Sequence, residues 1–179
     1  MSPMVSHPLT MEHALLGFLS VRPMHGYELF QTLSSSTGLG PVWRLKQSQL
    51  YALLAKLEER GYVQATVEPQ ENRPPRKIFD LTEEGRRALG DWVRTPVARP
   101  RELRLDFLAK LYFAQLEGTD ATQQLIKGQV GRCQRWLMEH ESRLEDLDED
   151  QRYEKVVWDL RIRQIKAMLE WLAECSERL

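Results

Sequence analysis

Within residues 43–61 (WRLKQSQLYALLAKLEERG), Ser48, Gln49 and Ala52 share one side of a helical repeat. Their chemistry suits the edges of base pairs. A glutamine amide can both donate to and accept from adenine, a serine hydroxyl can hydrogen-bond a base, and an alanine methyl can pack on a thymine methyl. Lys46, Tyr51 and Lys56 stand beside them, with groups that hold phosphate oxygens and set register. The opposite side carries Leu50, Leu53, Leu54 and Leu57 at helical spacing. A helix with an apolar back and a slim, hydrogen-bonding front fits a DNA major groove. An ordinary surface helix facing water would show the same pattern, so the neighbouring segments must decide.

A second group of cations follows. The segment EPQENRPPRK, residues 68–77, places Arg73, Arg76 and Lys77 beside Pro74 and Pro75. Prolines stiffen a turn and hold such cations at lower entropic cost, although a basic loop is often only solvated surface. Tyr62, Val63, Ala65, Thr66 and Val67 before it favour a strand, and residues 77–81 (KIFDL) read as a returning strand. Thr82 stands where an N-cap belongs, with Glu83 and Glu84 complementing the dipole of a helix that turns Leu89, Trp92 and Val93 inward. Upstream, a helix from Thr10 to Leu19 carries Ala14, Leu15, Phe18 and Leu19 inward and is closed by Arg22-Pro23. A second runs over about 26–33 with Tyr27, Phe30 and Leu33 inward, and the turn SSSTGLGP ends it. Gly61 stops the third helix in the left-handed position a cap would need. Three helices, a two-stranded hairpin and a further helix make a winged helix-turn-helix, with the third helix as reader and the hairpin as wing.

The expected organisation is a disordered tail at 1–9, a winged-helix domain at 10–93, a linker at 94–100 (RTPVARP) and a helical domain at 101–179. In the last of these, residues 103–116 form a helix. A long helix then starts at Thr119 or Asp120, with Ile126, Val130, Cys133, Leu137, His140, Leu144 and Leu147 along a heptad seam. The acidic stretch DLDED (146–150) interrupts it. The closing helix, about 151–178, has two apolar faces: Tyr153, Val156, Val157, Leu160, Met168, Trp171 and Cys175 on one, Trp158, Ile162, Ile165, Leu169 and Leu172 on the other. One chain offers too little to cover both, which points to a homodimer, with Val156, Leu160, Ile162, Ile165, Leu169 and Leu172 as dimerisation residues. A monomer folded back on its own N-terminal half is the alternative.

The rest of the chain narrows the function by what it lacks. There is no phosphate-binding glycine loop, no His-Glu-x-x-His and no Gly-x-Ser-x-Gly, so the expectation is a protein that is not an enzyme and needs no cofactor or metal. His140 on the seam reads as a core or interface residue. Cys133 and Cys175 show no ligand spacing and read as buried apolar residues of a reducing compartment. The net charge of −1 announces no polyanion partner. Residues 1–100 nevertheless hold 12 Lys/Arg against 10 Asp/Glu, so the mild positive excess falls on the half with the reading helix. No apolar run reaches transmembrane length, and a cytoplasmic protein without membrane contact is expected. Trp43, Trp92, Trp136, Trp158 and Trp171 could stack on a small aromatic effector in a dimer cavity, or simply fill core and interface.

Taken in order, HALLGFLSVRPMHGYEL, SQLYALLAKLEERGYV and RKIFDLTEEGRRAL resemble the PadR family of transcriptional regulators. KLYFAQLEG and the closing helix match the family more loosely, and EPQENRPPRKIFDLTEEGRRALGDW with the long C-terminal half is similar to its virulence-activator-like subgroup. The resemblance implies a mainly α protein: an N-terminal winged helix-turn-helix with a two-stranded wing, plus a C-terminal helical dimerisation domain. It implies that Gly26-Tyr27 opens the second helix, that Leu50-Tyr51 lies on the reading helix, and that Arg73, Arg76 and Lys77 form the basic wing. Many members start the reading helix with Ser-Pro-Gly, whereas Lys46, Gln47 and Ser48 stand here, so no operator sequence carries over. The function expected is a sequence-specific regulator bound as a homodimer to a near-palindromic site in double-stranded DNA. The rival is a winged-helix adaptor that binds protein and has no DNA specificity.

Overall fold

The computed structural model describes residues 10–35, 39, 46–70 and 73–179. The elements run α1 (Thr10–Val21), β1 (Met24–His25), α2 (Gly26–Ser34), α3 (Gln47–Glu59), β2 (Val63–Gln70), β3 (Arg73–Leu81), α4 (Glu83–Arg94), a 3-10 turn (Pro100–Arg104), α5 (Asp106–Glu117), α6 (Thr119–Glu145) and α7 (Arg152–Arg178). The 1–9 tail, most of the serine-rich turn, Trp43 and the hairpin tip at 71–72 lie outside the described residues. Two compact units are present: Met1–Val93 with Leu108–Phe113, and Arg94–Phe107 with Ala114–Leu179.

The first unit is a winged helix built around the leucine back of α3. Leu50, Leu54 and Leu57 are buried where α3 packs on α1 and α2, each stabilising the unit by about 1.5–3 kcal/mol. The end of α3 is a Schellman motif. Gly61 has φ 75°, its N–H donates to Glu58 O, and the Tyr62 N–H reaches back to Leu57 O, both at 3.0 Å. Only glycine enters that conformation without strain. Thr82 caps α4 by accepting the Gly85 N–H at 3.1 Å, while its own hydroxyl donates to Gly61 O at 2.7 Å.

Three features of this unit differ from expectation. The sheet is three-stranded and antiparallel, in the order β1-β3-β2. β1 pairs Met24 with Phe79 and His25 with Ile78, and two residues are too short to show alternation in a sequence. The hairpin is also longer than expected, because residues 68–70 and 73–76 belong to strands rather than a turn. The ladder runs from Val63↔Leu81 to Glu68↔Arg76 and slips between Glu68 and Gln70. Pro69 sits at that slip, on an edge strand, where a missing N–H is tolerated. Finally, Tyr27 does not face inward. Gly26, Leu29 and Leu33 complete the buried stripe of α2, so Tyr27 is exposed and Phe30 only half-buried.

In the second unit α6 and α7, each of 27 residues, form an antiparallel pair. Gln123 and Ser176 exchange hydrogen bonds at one end, and Lys166 meets Glu141 at 3.0 Å further along. The equal lengths explain a correction. Ile162, Ile165 and Leu172, expected to reach across a dimer axis, are buried within the chain, and Leu169 is half-buried. One apolar face of α7 is therefore covered within the chain, where α7 packs on α6. Tyr153, Val156, Leu160 and Trp171 remain exposed on the other. On the heptad seam Ile126 and Cys133 are buried, and burial raises the thiol pKa of both Cys133 and Cys175. His140 packs edge-on against Trp158 at 5.0 Å; burial first, then Arg161, lowers its pKa.

Residues 94–100 are not a free spacer. The Val97 N–H donates to Oε1 of the fully buried Gln129 at 2.8 Å. Pro96 lies so close over Gly128 that a Cβ there would come within 2.9 Å of Pro96 Cγ. The helix expected over 103–116 is split, because Leu105 (φ −129°, ψ −56°) separates the 3-10 turn from α5. Among the described residues no helix is long and apolar enough to cross a membrane.

Candidate nucleic-acid interface

The front of α3 is open. Lys46, Ser48, Gln49, Tyr51, Ala52 and Ala55 are exposed, while the leucine back is not. The N-terminus of the helix is held by Gln49, whose Oε1 accepts the Lys46 N–H at 3.0 Å. That satisfies one of the free donors at a helix start. It also engages one of the two lone pairs of the oxygen expected to pair with adenine, and the Gln49 side chain is exposed.

Lys56 differs most from expectation. Its Nζ donates to Glu12 Oε1 at 2.5 Å, and Arg60 Nη1 donates to Glu12 Oε2 at 3.2 Å. Lys56 is therefore engaged with α1 rather than held out as a free cation. The signal for this was present: Glu12 falls on the same helical stripe as Leu15, Leu16 and Leu19, and an acid on an apolar stripe needs a buried partner.

On the wing, Arg76 and Lys77 are exposed, and Lys77 Nζ also meets Glu58 of α3 at 3.2 Å. The backbone of Arg73 opens β3, and its side chain lies outside the described set. A cleft of about 650 Å³ joins parts the sequence treats separately: His25, Gly26, Tyr27, Glu28 and Gln31 of the α2 end, Tyr51 of α3, and Pro75, Arg76, Lys77 and Phe79 of β3. Tyr51 lies across Gly26, where a Cβ would fall 2.5 Å from Tyr51 Cε1, so only glycine admits the ring. Tyr27 is the residue missed. Its hydroxyl accepts from Gln31 Nε2 at 3.1 Å on the open side of α2. Glu28 would oppose an anion here, but Arg22 pairs with it, and that hydrogen bond holds the Glu28 carboxyl below the usual carboxylate range.

A helix N-terminus, two exposed cations and two tyrosines border one cleft, groups of the kind that hold phosphate oxygens. The family model described as "Transcriptional regulator PadR-like family" matches residues 15–91, the span that holds all of these parts except Glu12. Residues 15–91 are a domain of that family. The remainder of this PadR-like chain, residues 103–179, matches the model described as "Virulence activator alpha C-term". Over 137 residues it is 27% identical to the Negative transcriptional regulator PadR of Bacillus subtilis, covering 76% of this chain and 74% of that one. Over 93 residues it is 30% identical to a Mycobacterium tuberculosis protein described as a "Probable transcriptional regulator", covering 52% of this chain and 48% of that one. The crystal structure of Bacillus subtilis PadR in complex with operator DNA superposes with a TM-score of 0.49 at 21% identity, covering 95% of this chain and 99% of that one.

The four described tryptophans are engaged within their own units. Trp92 stacks on His13 at 4.8 Å with Lys110 at 4.9 Å from its ring. The guanidiniums of Arg161 (4.7 Å) and Arg143 (5.3 Å) lie over the Trp158 ring, Trp136 is buried, and Trp171 meets Phe107 edge-on.

Proposed function

We propose that the chain is a sequence-specific DNA-binding transcriptional regulator that acts as a homodimer on a near-palindromic operator. The observation that carries this reading is the exposed front of α3 lying beside the basic cleft. Ser48, Gln49 and Ala52 face base edges in the major groove. Lys46, Tyr51, Arg76, Lys77 and Arg73 hold phosphates on either side, joined by Tyr27 and the N-terminus of α2. Lys56 leaves this set because Glu12 occupies it. Arg76→Ala is expected to weaken binding to all sequences alike and to lower the salt dependence of log K by about one. Anisotropy titrations across a salt series read this directly. A folded variant with the wild-type slope would remove the wing from the interface.

The stripe of Tyr153, Val156, Leu160 and Trp171 supports the dimer. These residues recur on one side of α7, opposite the face packed on α6. Leu160→Glu is expected to leave the fold intact and shift the protein from dimer to monomer in sedimentation velocity at micromolar concentration. A variant that stays dimeric would move the interface elsewhere. Control by a small aromatic effector fits the same scheme: a ligand that binds one spacing of the two reading helices better shifts the protein toward that spacing.

A further inference from the structure

Glu12 sits on the apolar stripe of α1 and is fully buried. A carboxylate in such a place needs both opposite charge and hydrogen bonds. Its two oxygens divide between two cations one turn apart, Lys56 on a flank of α3 and Arg60 at its C-cap. Gln49 lies two turns before Lys56 on the same flank, so both cations border the side that faces DNA. Each side chain keeps contact with solvent, at 37% and 27% exposure. Their long stems could therefore swing outward, and the carboxylate holds them in.

We propose that Glu12 is a specificity-determining residue: by holding Lys56 and Arg60 against α1, it withholds two cations of the reading helix from the phosphate backbone. This rests on the reading of α3 as the groove-binding helix. Every phosphate contact adds affinity that does not depend on sequence, and steepens the salt slope by about 0.9. With a net charge of only −1 on the whole chain, two cations more or fewer at the interface change the balance between sequence-independent and base-directed binding. Glu12 keeps that balance on the base-directed side.

The test uses the full chain, its selected operator and an unrelated duplex of equal length, each titrated across a salt series. Glu12→Gln keeps the shape and one acceptor but removes the charge that holds the cations. It is expected to steepen the salt slope by about one to two and raise affinity for the unrelated duplex about tenfold, lowering the operator preference. Arg60→Gln in the wild-type background is expected to leave the slope unchanged, and in the Glu12→Gln background to remove about one unit of the gain. A role confined to packing α1 on α3 would move the melting temperature and not these slopes. A folded Glu12→Gln protein with wild-type slope and preference overturns the inference. So does an Arg60→Gln protein whose slope falls by about one, and this second variant decides the matter where Glu12→Gln does not fold. Either result leaves wild-type DNA binding standing, whereas wild-type protein that binds neither duplex at low salt overturns the DNA reading and this inference with it.

Discussion

Gly85→Ala is expected to destabilise the winged-helix unit by about 3 kcal/mol, although alanine ordinarily improves a helix over glycine by about 1 kcal/mol. A Cβ at Gly85 would fall 2.1 Å from Tyr62 O and 2.8 Å from Leu81 Cδ1. The first obstacle is backbone, so a rotamer change cannot relieve it. That carbonyl is also committed, because it accepts the Thr82 N–H at 3.1 Å, and Tyr62 closes the Schellman motif that ends α3. Pushing it aside loosens the joint between the reading helix and α4. A urea midpoint well below wild type is the expected result, and an unchanged midpoint would contradict the packing. Gly131→Ala is the control. Its Cβ would meet only the tip of Arg135 at 4.0 Å, and it is expected to be neutral or slightly stabilising.

Ala52→Glu should separate folding from DNA binding. Ala52 is exposed on the front of α3 and glutamate is a good helix former, so the variant is expected to melt with the wild type. Its carboxylate would face the phosphate-lined groove. Like charges at a contact cost several kcal/mol, and about 3 kcal/mol corresponds to a loss of about 100-fold in operator affinity. Anisotropy with labelled operator, with circular dichroism alongside, measures both. An adaptor that used other surfaces for protein would keep its partner in this variant, and operator binding within about threefold of wild type would take α3 out of the groove.

The parts of the fold that depend on neighbours in the chain were legible in advance. Leu50, Leu54 and Leu57 recur at helical spacing, Gly61 stands where a left-handed residue was needed, and Thr82 stands three residues before the N–H it caps. Contacts between distant segments were not legible. Lys56 looks like a phosphate ligand until Glu12, 44 residues earlier, is seen to hold it. β1 exists only because β3 comes alongside. Ile162, Ile165 and Leu172 looked like an uncovered face because nothing in their spacing records that α6 matches α7 in length. Tyr27 marks an intermediate case. Leu29 and Leu33 already complete the inward stripe of α2 with Gly26, so its outward position could have been read from them. At the candidate site, residue types and the exposed front of α3 were readable from sequence, while the cleft that joins Tyr27, Tyr51 and Arg76 required three elements to meet.

In the proposed complex α3 reads sequence in the major groove twice, once per protomer. Selection of bound sites from random duplex DNA by the purified chain tests it most directly. Enrichment of an inverted repeat whose half-sites lie about one helical turn, or a multiple of it, apart is the expected result. A pool that remains random at low ionic strength would contradict it.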